Sequence, residues 1–116
     1  PIFAAGNVYY GSARPYAQEG DALVLANHDP GLRLVEEGGR WLLHLHLGKS
    51  LREARTPLVT TKLLGRARVP NLPYVQPDDS PLKVDRDYFG RGRSRSRPMP
   101  GPFEKQATGT DVFPVR

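Results

Sequence analysis

The chain has 116 residues, 38% of them hydrophobic, with twelve prolines and twelve glycines. That length allows one small domain or a piece of a larger one, and so many helix breakers exclude a helical bundle in favour of short strands and loops. The lack of cysteine removes disulfides and thiolate metal sites, and the formal charge of +5 is local: without Arg91, Arg93, Arg95 and Arg97 the chain carries 13 basic against 12 acidic residues.

In chain order, Asn7-Val8-Tyr9-Tyr10 reads as a short strand between glycines. Pro15 holds Arg14 extended in the loop that follows. Ala22 to Ala26 is a nearly continuous apolar strand, and such continuity predicts burial on both faces. Asn27-His28-Asp29-Pro30-Gly31 is turn chemistry.

Gly31 to Leu47 then reads as a β-hairpin and, by its apolar content, the expected organiser of the core. Gly38-Gly39 supplies the positive φ angles that a two-residue hairpin turn requires. Side-chain alternation puts Trp41, Leu43, Leu45 and Leu47 on one face, and Leu42, His44 and His46 on the other. The first set is the largest apolar surface in the chain, so Trp41 is expected in the core.

Ser50-Leu51-Arg52-Glu53 matches a capping box and predicts one helical turn, stopped by Pro57. Leu58 to Leu64, rich in β-branched residues and ended by Gly65, predicts a strand, and Ala67-Arg68-Val69 a shorter one. Pro70, Pro73, Pro77 and Pro81 then keep the chain in loops. Leu82 to Asp85 alternates again. Val112 to Val115 either adds an edge strand or hangs free. No stretch approaches the ~20 apolar residues of a membrane span.

The residues able to carry chemistry are few. His44 and His46 share a strand face, with His28 or Asp29 as a third metal ligand, but outer-face polarity explains them as well. Asp85 and Asp87 have the spacing of a glycosidase carboxylate pair, whereas Asp78-Asp79 reads as a turn tip. Both pairs are more simply turn residues bonding to backbone N–H groups. Tyr9, Tyr10 and Tyr16 are able to stack on sugar rings or bases, or to edge a sheet. The run from Arg91 to Arg97 resembles short tracts that bind RNA backbones; its alternative is a solvated loop. No nucleophilic triad and no phosphate loop is present.

Several pieces in order, GNVYYGSARP, WLLHLHL, TPLVTTKLLGRARVPNLPY, PDDSPLKVDRDYFGRGR and PMPGPFE, resemble one family. It is the C-terminal segment of bacterial secreted proteins with a right-handed parallel β-helix, the pectate-lyase-like polysaccharide-degrading proteins. Asp85, Asp87, Gly90, Arg91 and Gly101 to Glu104 stand where that family has its Asp-rich turn and closing strand. The Arg/Ser run is more basic than the family pattern.

The resemblance implies an all-β segment, residues 1–104, with a C-terminal tail, residues 105–116, at the end of a β-helix. It implies a chain that is the tail of a longer glycoside hydrolase or polysaccharide lyase, secreted or periplasmic. Such a tail contributes structure or substrate groove, its partners being the upstream coils and the polysaccharide. The family's catalytic carboxylates lie upstream, so no catalytic, cofactor or metal residue is assigned here. The alternatives are a small basic β protein binding nucleic acid through Arg91 to Arg97, and a carbohydrate-binding module using Trp41 or the tyrosines.

Overall fold

The computed structural model describes residues 3–104 and 109–115. It is mostly β, in small sheets with little helix. Strand β1, Val8–Tyr10, pairs in parallel with β2, Leu23–Leu25, with Val8 opposite Leu23 and Tyr10 opposite Leu25. A parallel bridge between Ala5 and Gly20 extends the pair. Only one side of this ribbon is covered, so Val24 is exposed and the expected burial of β2 on both faces does not occur. No closed or solenoid sheet forms among the described residues.

The hairpin forms as its sequence predicts. Strand β3, Arg33–Glu37, runs antiparallel to β4, Arg40–Leu45, with Glu37 opposite Arg40. Between them Gly38 and Gly39 take φ of 57° and 77°, a left-handed pair that glycine adopts without strain. Strand β5, Asp111–Pro114, lies along the other edge of β4 with Phe113 opposite Leu43. The Val112 to Val115 stretch is therefore an edge strand, while residues 105–108 and Arg116 of the tail lie outside the described residues.

The buried core is Leu45, Phe103 and Phe113, flanked by Leu43, Leu47, Phe89 and Val115. The Phe103 and Phe113 rings stack nearly parallel, 3.9 Å between centroids and 9° apart, and Phe89 stacks beside both. Trp41 is not in it. It sits on the predicted face but near the turn, away from the Phe103/Phe113 cover, and is 42% exposed. On β3 Leu34, opposite Leu43, and Leu32, just before the strand at the end away from the turn, are exposed as well, at 56% and 68%.

Residues 46–104 are irregular and tied by single contacts. A 3-10 helix, Lys49–Glu53, replaces the expected capping box. It is capped by Gly48 rather than Ser50, and makes no side-chain cap bond. Gly48 has φ 78°, and a Cβ there would lie 3.0 Å from the His28 ring; the chain enters this turn two residues earlier than a Ser50 cap would have it. The strand expected over Leu58 to Leu64 is instead a one-turn helix, α1, Thr61–Leu64. Thr60 Oγ1 accepts the Leu63 N–H at its start, and local capping overrides β-propensity. Ala67 to Val69 is part of a tight loop, not a strand: Asn71 N–H bonds back to Ala67 O, and Arg66 Nε donates to Asn71 O.

Candidate functional site

The histidines are placed by the ends of β2 and β4. The His46 N–H donates to Pro30 O, drawing the end of the hairpin against the turn after β2. His28 Nε2 then lies 2.5 Å from His46 O, which a protonated Nε2 satisfies. The rings of Tyr10, His28 and His46 form a ladder with centroid separations of 5.5 and 5.2 Å. Tyr10 donates its hydroxyl to Leu47 O, and its partial burial raises its pKa. His44 points elsewhere, its Nε2 buried without a hydrogen-bond partner among the described residues. Among those residues no three His, Asp or Glu side chains are arranged to hold a metal ion. The histidines pack.

Tyr9 and Glu19 form a second polar cluster. Tyr9 donates to Glu19 Oε2 at 2.5 Å, while the Asn7 side-chain and backbone N–H groups both donate to Oε1. The bond from Tyr9 lowers the Glu19 pKa, and the same bond raises that of Tyr9. Both carboxylate oxygens are occupied, so this cluster ties β1 to the 16–20 loop.

The carboxylates of the Asp-rich turn divide by role. Asp78 accepts the Ser80 hydroxyl and N–H, which lower its pKa, as a turn-tip aspartate does. Asp85 pairs with Lys83 at 3.1 Å, and that lysine lowers its pKa. Asp87 is only 7% exposed. Its Oδ1 accepts the N–H groups of Phe89 and Arg91 at 2.9 and 2.8 Å, and its Oδ2 that of Glu104 at 3.1 Å. Burial pushes the Asp87 pKa up, but the N–H groups of Arg91, Glu104 and Phe89 together outweigh it and the net shift is down. Both of its oxygens accept backbone N–H groups, which bind the 87–91 turn to Glu104.

The basic run is also divided. Arg93 folds inward: its guanidinium donates to Arg86 O at 3.1 Å, Met99 O at 3.0 Å and Gly101 O at 2.7 Å, and lies 3.7 Å from Glu104. Glu104 in turn accepts the N–H groups of Ser94 and Met99. Arg91 lies over the Phe89 ring, 5.2 Å from its centroid. Arg95 and Arg97 are exposed. The run is a knot with two free ends rather than a stripe.

An apolar hollow of about 390 Å³ lies between β1, β4, the 3-10 helix and the 100–103 loop. Leu32, Leu43, Leu45 and Leu47 line it from the hairpin, Val8 and Tyr10 from β1. Few polar groups converge on it: Asn7 and Thr56 line it, and Thr56 Oγ1 is already bonded to Gly6 O. Gly6 closes the hollow where a Cβ would come within 2.6 Å of Thr56 Cα. Sequence reasoning missed this hollow and the Phe89/Phe103/Phe113 stack; the three phenylalanines, each in or beside a Pro/Gly-rich segment, were the only signal.

No protein-family model matches the chain, and no curated protein sequence matches it. Among solved structures, that of XylC in complex with xylose superimposes on all of it, with a TM-score of 0.89 and 28% identity. The chain spans 18% of the length of XylC.

Proposed function

We propose that this chain is a β-helix end segment of a larger protein acting on xylose-containing polysaccharide, contributing structure and groove wall rather than reacting groups. The observation that carries the reading is its full-length superposition on part of XylC, a chain more than five times as long that binds xylose. Three features support it. Leu32, Leu34 and Trp41 are exposed on a hairpin face whose Leu45 is buried, as part of a stacked layer is when its neighbour is absent. The parallel pairing of β1 with β2 across a helix-free crossover is the step from which such stacks are built. The paired carboxylates are spent on backbone and lysine, leaving no acid–base couple in the Asp-rich turn. The proposed workplace is outside the cytoplasm, where polysaccharide is met.

The test is an exchange. XylC carrying this chain in place of its superimposing segment is expected to be soluble and to bind xylose in calorimetry. The chain alone is expected to leave aryl xylosides and xylan unhydrolysed. A soluble chimera without xylose affinity, or turnover by the chain alone, overturns the reading.

A further inference from the structure

Two arginines from separate segments meet at one small cavity. Arg52 on the 3-10 helix and Arg97 at the end of the basic run both line a hollow of about 230 Å³. Its remaining walls are Leu51, Ala54, Pro98, Met99 and Pro100, and it contains no acid. Leu51, Ala54 and Pro98 are buried, giving an apolar floor, while both arginines are exposed at the rim. Among the described residues neither guanidinium is in an ion pair or a side-chain hydrogen bond. The nearby charge of Glu104 is held by Arg93.

The rim is fixed in place. Arg97 N–H donates to Ser94 Oγ, Met99 N–H to Glu104 Oε2, and Met99 O accepts from Arg93. On the other side Ala54 N–H bonds to Leu51 O. A guanidinium fork matches a planar carboxylate with two parallel hydrogen bonds. An apolar floor of Pro, Met and Leu suits the C–H face of a sugar ring. The volume falls short of the roughly 300 Å³ at which drug-sized sites begin, which suits one ring and not an extended chain.

We infer that this cavity binds a single carboxylate-bearing sugar ring, a uronic acid side group on a xylan-type polysaccharide, with Arg52 and Arg97 holding the carboxylate. The inference rests on the sugar-acting reading above and gives it a preference for acidic substrates. Its test is titration calorimetry on the chain, and on the XylC chimera, with a glucuronate-decorated xylo-oligosaccharide and its undecorated counterpart. The decorated sugar is expected to bind about tenfold tighter, the worth of a charge-assisted contact. Arg52→Gln with Arg97→Gln is expected to erase that advantage and leave undecorated binding unchanged.

Equal binding of the two sugars overturns the inference while the sugar-acting reading stands. If neither sugar binds either protein, both fall. A short RNA duplex that binds more tightly than the decorated sugar, and is lost in the same double variant, shows that the arginines read phosphate and also overturns it.

Discussion

Arg93 and Asp87 show how a charge can be absorbed by irregular backbone. Asp87 gathers the N–H groups of Phe89, Arg91 and Glu104, and Arg93 gathers the carbonyls of Arg86, Met99 and Gly101. Together they do for the 86–104 loops what a ladder does for a sheet. Arg93→Lys keeps the charge but loses the fork, and is expected to cost about 1–3 kcal/mol in urea denaturation. Arg95→Lys and Arg97→Lys are expected to stay within about 0.5 kcal/mol, since their side chains hold nothing in the fold. For Asp87 the native pKa is depressed, so its stabilisation is complete above the unfolded value of about 4 and is lost as pH falls through the lower native value. Asp87→Asn is expected to lower Tm at pH 7 and to flatten the fall of Tm below pH 4; a parallel pair of melting curves across that window would refute the assignment. In the sequence Asp87 is visible only as a turn residue. Its centrality depends on Glu104, 17 positions away, which no local pattern connects to it.

The hairpin was legible because its determinants are local: two glycines at the turn and alternation on both sides. Local patterning did not reveal which part of the apolar face is covered. Cover comes from Phe113 on β5 and Phe103 in a Pro/Gly-rich loop, and it reaches Leu45 but not Trp41. Leu58 to Leu64 failed for the opposite reason, a single Thr60 cap outweighing a β-branched run. Phe113→Ala removes one leaf of the aromatic stack and is expected to cost about 3–5 kcal/mol. Against a total of about 5–15 kcal/mol for ordinary domains, that is enough to broaden or abolish the thermal transition seen by circular dichroism. Trp41→Ala, on the bare end, is expected to cost far less in the same measurement, reversing the order that alternation alone predicts.

At the scale of the molecule, the core is thin and exposed apolar side chains are spread along the chain, with Leu32, Leu34 and Trp41 together on one hairpin face. Mostly β character with proline-rich loops follows from composition, whereas the two short helices and the missing cover do not, because periodicity records faces and not neighbours. Leu32→Ser with Leu34→Ser is expected to raise the solubility of the isolated chain and leave its Tm within a few degrees. The same pair is expected to impair folding of the XylC chimera if that face is a seam. A chimera indifferent to both substitutions would mean that the face meets solvent in the larger protein too.

The position of β5 bears on how the protein is made. It lies beside β4 yet is translated some seventy residues later, so the nascent hairpin leaves the ribosome with β4 as an open edge and Leu45 bare. A stalled or prematurely stopped message releases that edge with nothing to shield it, an invitation to strand-by-strand association. Ribosomes pausing in the loop codons would therefore leave chaperones, rather than the native contacts, to guard the hairpin until Phe113 emerges.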